Sequence, residues 1–190
     1  MTKIQSRSDY KAFRIADQSS LGIKKMTLKS LGNEILRFEV RLRKLEYALN
    51  CSKNPMLVLY RKFLFRQSSV KLGYSISPNT IGPGLAIAHR GTIVINGGAK
   101  IGANCRLHVD VNIGTEAGKS SAAPTIGDNC YIGPGAKIFG QIEIGQNTVI
   151  GANAVVNKSF IEGNQTLGGI PAKKISDKSS SGLLILGYKV

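Results

Sequence analysis

Residues 95–156 read INGGAKIGANCRLHVDVNIGTEAGKSSAAPTIGDNCYIGPGAKIFGQIEIGQNTVIGANAVV, and their aliphatic residues keep a fixed interval. Ile95, Ile101, Leu107 and Ile113 stand six apart, as do Ile126, Ile132, Ile138, Ile144, Ile150 and Val156. Upstream, Ile81 and Ile87 hold the same spacing, and two extra residues fall between Ile87 and Ile95. Glycine follows the aliphatic residue as Gly82, Gly102, Gly114, Gly127, Gly133, Gly145 and Gly151. A period of six is neither 2.0 nor 3.6, so the stretch is not one strand or one helix.

Self-similarity at a hexapeptide period marks a β-helix. Each hexad is expected to form one short strand and one corner, and three hexads one coil. Coils then stack at about 4.8 Å, the spacing of paired strands. Four residues after the aliphatic stand Ala99, Cys105, Val111, Cys130, Ala136, Ile142, Thr148 and Ala154, most of them small enough for a narrow interior. Three residues after stand Gly84, Gly98, Asn104, Asp110, Asn129, Gly135, Asn147 and Asn153, types that tolerate positive φ at tight corners. Between Ile113 and Ile126 the interval is broken by Thr115–Thr125, TEAGKSSAAPT, which is expected to leave the coil as a surface loop.

The length of 190 residues fits one domain core and an appendage. No 18-residue apolar run is present, so no membrane-spanning helix is expected. MTKIQSRSDY lacks the apolar segment of a signal peptide, and the expected compartment is cytoplasmic. Of three cysteines, Cys105 and Cys130 occupy the small interior position and read as packing residues. The net charge is +15, and residues 1–74 hold sixteen Lys/Arg against five Asp/Glu. Such a surface suits anionic partners: nucleotide phosphates, an acidic glycan or the inner membrane face. No motif with stacking aromatics points to nucleic acid.

Three regions follow: a basic helical segment over 1–74, the coils over 75–175 and a tail over 176–190. Helices are expected over Ser6–Asp17 and over Leu28–Leu49, where Leu31, Ile35, Phe38, Leu42, Leu45 and Leu49 recur at spacings of three and four. Asn54–Pro55 opens a third, with Leu57, Val58, Tyr60, Leu64 and Phe65 among basic residues. Their apolar stripes are expected to pack on each other and on the coils; the alternative is peripheral contact with a membrane surface. The tail, apolar at Leu183–Leu186, packs along a coil edge or is partly disordered.

Ala88–Gly97 (AHRGTIVING), Asn112–Lys119 (NIGTEAGK), Ile132–Gly140 (IGPGAKIFG), Ile150–Val156 (IGANAVV) and Gly168–Lys174 (GGIPAKK) resemble the serine acetyltransferase branch of the hexapeptide acyltransferases. The resemblance covers about residues 75–175. It implies a left-handed parallel β-helix, a homotrimer, acetyl-CoA held in the groove between two subunits, and a catalytic histidine at His89. The chain departs from that family where it writes Asp-His, Asp-Ile-His-Pro and Arg-His-Pro; here stand Ala88-His89, Ser75-Ile76-Ser77-Pro78 and Ala122-Ala123-Pro124. An α-carboxylate wants a cationic clamp and an α-ammonium a carboxylate. On these departures the expected acceptor is a hydroxyl of a sugar or surface polysaccharide, as in the short capsule, exopolysaccharide and O-antigen acetyltransferases. The alternatives are serine O-acetylation for cysteine biosynthesis and a non-catalytic scaffold.

An alcohol is a weak nucleophile at neutral pH, and an imidazole titrating near pH 6.5 can take its proton as it attacks. The chain has two histidines, so the base is His89 or His108. The insertion beside His89 favours it, and His108 is left to assist, to bind the acceptor or to be an ordinary surface histidine. Ser75, Asp110, Glu116 or a backbone carbonyl can orient the ring, although an Arg90–Asp110 ion pair is the plainer reading of Asp110. Backbone N–H groups near Gly114 suit an oxyanion. For acetyl-CoA the candidates are Asn112, Gly114, Thr115, Gly133, Gly135, Ala136, Gly151 and Ala152, with Lys158, Lys173 and Lys174 for the phosphates. No metal is expected, since two histidines do not assemble a zinc site.

Overall fold

The computed structural model describes residues 2–25, 27, 30, 32–119 and 122–190. Each hexad forms a short strand whose aliphatic residue points inward. Ile101, Leu107, Ile113, Ile132, Ile138, Ile150 and Val156 are all fully buried. The parallel strands lie in three sheets, the faces of a triangular prism. The first face holds β1 (Tyr74–Ile76), β3 (Ile93–Ile95), β6 (Val111–Gly114), β9 (Lys137–Phe139) and β12 (Val155–Val156). The second holds β4 (Lys100–Ile101), β7 (Thr125–Ile126) and β10 (Glu143–Ile144). The third holds β2 (Ala86–Ile87), β5 (Arg106–Leu107), β8 (Tyr131–Ile132), β11 (Val149–Ile150) and β13 (Thr166–Gly168), closed by antiparallel β14 (Lys173–Ser176). Register pairs residues three hexads apart, Ile95 with Ile113 and Leu107 with Ile132 across the loop insertion.

The corners behave as their side chains demand. Asn104, Asp110, Asn129, Asn147 and Asn153 have φ of 54–61°, and Gly84 and Gly135 are also left-handed. Gly98, assigned to the same class, is not. Where the second face turns into the third, the amides of Asn104, Asn129, Asn147 and Asn164 form a ladder with links of 3.0, 3.0 and 2.9 Å. Glycine after the aliphatic residue answers a steric need: a Cβ on Gly102 would lie 2.7 Å from the carbonyl carbon of Gly127 in the next coil. Cys105 and Cys130 are buried and unpaired, and Cys51 is exposed.

Three helices precede the coils among the described residues. Ser6 caps α1 (Arg7–Ser20), Asn33 caps α2 (Glu34–Cys51), and Asn54 with Pro55 starts α3 (Pro55–Leu72), which Gly73 ends in the left-handed conformation. The expected start of the second helix at Leu28 and Leu31 falls outside the described residues; the described helix begins at the Asn33 cap. Its Phe38 and Leu42 join the coil core, and Phe65 of α3 stacks 5.4 Å from Phe38. Of the expected α3 stripe, Val58, Leu64 and Phe65 are half-buried and Leu57 and Tyr60 are exposed, and on the same helix Met56, Leu59, Phe63 and Val70 are exposed as well. No helix among the described residues is long and apolar enough to cross a membrane.

Carboxylates and a guanidinium join the helices to the first coil. β2 edges the third face, and a bare strand edge presents unpaired N–H groups. Asp17 Oδ1 accepts from the N–H of Gly84 and of Leu85, each at 2.9 Å, and Glu39 Oε1 from Ile87 N–H at 3.2 Å. Fully buried Arg43 ties this edge to the helices. It donates to Asp17 (2.7 Å), Glu46 (2.9 Å) and the carbonyls of Ile81 (2.9 Å) and Gly82 (2.7 Å).

The cluster sets three carboxyl groups against one guanidinium. Burial first, then the charge of Asp17, raises the Glu39 pKa well above the ordinary glutamate value, and its Oε2 has no hydrogen-bond partner among the described residues. A carboxyl group whose folded pKa lies above its unfolded one contributes fully below the unfolded pKa. That contribution is lost as pH rises towards the folded pKa, by up to ~1.4 kcal/mol per pH unit. Glu39→Gln is therefore expected to melt with the wild type near pH 4 and above it near pH 8, by at least ~2–4 °C. Parallel melting curves at the two pH values check this; a constant difference counts against it.

The tail runs back along the asparagine corner. Ser180 Oγ donates to Asn129 O at 2.5 Å, and the N–H groups of Gly187 and Tyr188 donate to Asn104 Oδ1 at 3.1 and 2.9 Å. It covers the corner between the second and third faces and leaves the corner between the third and first open.

Candidate active site

That open corner is built from the residues just past the inward aliphatics of the third face. Ala88 N–H donates to Leu107 O (2.9 Å), His108 N–H to Ile132 O (3.2 Å), Gly133 N–H to Ile150 O (2.8 Å) and Gly151 N–H to Leu167 O (2.8 Å). Ala88, His108, Gly133 and Gly151 thus stack in one column, with His89 turned outward and exposed at its upper end. Two imidazoles occupy the upper coils; glycines follow on the next two, Gly133 buried and Gly151 half-buried. Nothing larger than hydrogen fits at Gly133, where a Cβ would stand 2.8 Å from Ile150 O.

The His89 and His108 ring centroids are 6.3 Å apart. The corner carrying His89 is held by Tyr74, whose hydroxyl donates to His89 O at 2.9 Å and whose ring packs edge-on to Phe38 at 4.8 Å. Burial, then the charge of Glu39, keeps that phenol protonated far above neutral pH. Tyr74→Phe is expected to cost about 1 kcal/mol in denaturant unfolding, the net worth of one hydrogen bond; an unchanged midpoint would show that the bond contributes nothing.

His108 is half-buried beside Tyr131, ring to ring 4.8 Å. Arg106 Nε lies 3.3 Å from His108 Nε2. Arginine only donates, so Nε2 accepts and the ring proton sits on Nδ1. Burial, then the Arg106 charge and the neighbouring His89, lowers the His108 pKa. It is therefore a neutral imidazole at pH 7.

The groups expected to orient His89 are engaged elsewhere. Asp110 pairs with Lys137 at 2.9 Å, and Lys137 Nζ also donates to Asp110 O at 2.6 Å. Arg90 pairs instead with Glu34 at 3.2 Å, which also takes Lys71 at 2.6 Å. The expected Arg90–Asp110 pair is therefore not formed. Arg90 is met by an acid from the first turn of α2, whereas Asp110, a coil lower, meets a lysine from the coil beneath. Glu116 pairs with Lys119 at 2.9 Å in the loop, and exposed Ser75 lies on β1 opposite Val94. None of the described residues hydrogen-bonds the His89 ring.

Of the residues proposed for acetyl-CoA, Gly133, Gly151 and exposed Ala152 share the histidine corner. Gly135 makes the left-handed turn below, and the Ala136 methyl is fully buried in the core, out of reach of a groove ligand. Asn112 faces outward on β6 opposite Lys137. Gly114 ends that strand and Thr115 follows it at the next corner, between the first and second faces, where the 115–125 loop departs. The backbone near Gly114 is thus a full face away from His89 in the same chain and does not reach an oxyanion beside that ring. Lys158 lies over the Phe160 ring at 5.4 Å, Lys173 is exposed on β14, and Lys174 pairs with Asp177 at 2.6 Å. Arg106 and Tyr74 were not anticipated. Arg106 immediately precedes inward Leu107 on the histidine face, which is the signal that could have found it.

Residues 123–158 match the family described as bacterial transferase hexapeptide (six repeats). The serine acetyltransferase of Helicobacter pylori strain 26695 is 32% identical over 130 residues, 64% of this chain and 76% of that protein. The serine acetyltransferase of Synechococcus elongatus is 35% identical over 117 residues, 60% of this chain and 47% of its own length. The chain thus spans about half the length of that relative. The structure of Brucella abortus serine acetyltransferase in complex with coenzyme A shares the fold, with a TM-score of 0.71 at 23% identity, over 91% of this chain and 70% of that one. The expected left-handed β-helix with N-terminal helices stands. The expected closeness to polysaccharide O-acetyltransferases, and with it the sugar or polysaccharide acceptor, is overturned, because the relatives are serine acetyltransferases.

Proposed function

The chain belongs to the serine acetyltransferase family, and from that premise we propose that it moves the acetyl group of acetyl-CoA onto the hydroxyl of L-serine. The observation that carries this reading is the pair of His89 and His108, 6.3 Å apart, at the head of a column that continues as Gly133 and Gly151. In the proposed reaction the His89 imidazole takes the hydroxyl proton as the oxygen attacks the thioester carbonyl. The tetrahedral intermediate collapses with loss of the CoA sulfur, which takes up that proton, so the imidazole ends neutral.

The pantetheine arm, extended and polar, suits the strip over Gly133, Gly151 and Ala152, with Lys158 and Lys173 towards the phosphates. The backbone of Gly114 and Thr115 lies at another corner of the same prism, and it meets His89 only if two copies set unlike corners together. A homotrimer with one site per seam is the assembly proposed. Incubation of the purified protein with acetyl-CoA and L-serine tests the function. Free CoA is expected to form in step with O-acetyl-L-serine, read by thiol titration and mass spectrometry. CoA release indifferent to L-serine would leave only a scaffold.

A further inference from the structure

L-Serine carries a carboxylate one carbon from its reactive carbinol, and a carboxylate is best held by a guanidinium. The loop residues Ala122, Ala123 and Pro124 offer no cation, and Lys119 is paired with Glu116. Arg90, next to His89, is occupied by Glu34. Arg106 is different. It projects from β5 opposite buried Leu107, and its coil neighbours are Ala86 above and Tyr131 below. It has no carboxylate partner among the described residues, and its Nε is braced by His108. Ala86 presents only a methyl, so nothing on that rung competes for the guanidinium. The same His108 ring faces His89 across 6.3 Å.

We propose that Arg106, braced by His108, is the acceptor-carboxylate subsite and makes the enzyme select a zwitterionic hydroxy acid over a neutral alcohol. The Nη groups hold the carboxylate while the adjacent hydroxyl reaches towards His89. His108, neutral and accepting at Nε2, positions the guanidinium without opposing its charge. The assignment rests on the serine reading above.

The test is steady-state kinetics with L-serine and with L-serinamide, which keeps the hydroxyl and the amine and lacks the negative charge. The wild type is expected to favour L-serine. In Arg106→Gln the ratio of kcat/KM for L-serine to that for L-serinamide is expected to fall by roughly 10–100-fold, the worth of a charge-assisted pair, chiefly through KM. Arg106→Lys should fall between, because it keeps the charge and loses the fork. If Arg106→Gln melts early, Arg106→Lys alone decides, since a purely structural role would not move the ratio. An unchanged ratio with L-serine still turned over overturns the subsite and leaves the transferase intact. No turnover of either compound by the wild type sinks the serine reading and the subsite with it.

Discussion

His89→Ala is expected to lower kcat for acetyl transfer by roughly 10²–10⁴-fold, the usual contribution of a positioned general base. The side chain is exposed and makes no hydrogen bond to the described residues, so the melting temperature should hold. That separation makes the variant informative: activity falls and the fold does not. His108→Ala should act differently. It frees the Arg106 guanidinium from its brace and is expected to raise KM for L-serine more than it lowers kcat. If His89→Ala keeps wild-type turnover, the general-base assignment is wrong and His108 is the next group to test.

Arg43→Met is expected to be the most destabilising single change in the chain, at about 3–5 kcal/mol in denaturant unfolding. Arg43 is fully buried, and its loss strands the carboxylates of Asp17 and Glu46 and two carbonyls of the first coil. In a domain held by roughly 5–15 kcal/mol this is a large fraction. The deficit is expected to vary with pH. Burial already pushes the Glu46 carboxyl up even with Arg43 present. Without the guanidinium the stranded acids take up protons in the folded state, so the variant's stability falls as pH rises from about 4 to 8 and its gap from the wild type widens. Combining Arg43→Met with Asp17→Asn and Glu46→Gln removes the stranded charges while Asn can still accept from Gly84 and Leu85, and should recover part of the loss. A single variant within ~1 kcal/mol of the wild type at pH 8 would show that the cluster does not hold the helices on the coils.

The coils were legible because their cause is local. Every inward aliphatic, every glycine after it and every left-handed Asn or Asp answers a constraint that recurs within six residues, so the pattern is repeated in the text of the chain. That the two histidines share a corner was legible for the same reason, since His108 stands one residue after inward Leu107 and His89 two after inward Ile87 on one face. Ion-pair partners were not. Whether Asp110 meets Arg90 or Lys137, and whether Glu34 reaches Arg90, depends on how a helix sits over a coil and on which coil lies beneath. Residues far apart in sequence decide it, and no spacing records them.

The acceptor lay beyond the motif for a similar reason. The missing charges at Ala88, Ser75 and Ala122-Ala123 argued against serine as long as a clamp had to occupy those positions. A face-sharing neighbour such as Arg106 becomes visible only when the coils are stacked and its pairing with His108 is seen. The sequence by itself determined the period, the corners, the small interior and the two candidate bases, because these are properties of single hexads. Only the tertiary structure decided which charges are spent on holding α1 and α2 to the first coil, which corner the tail covers and which guanidinium beside the imidazoles has no carboxylate partner among the described residues, because each is a choice among partners made by packing.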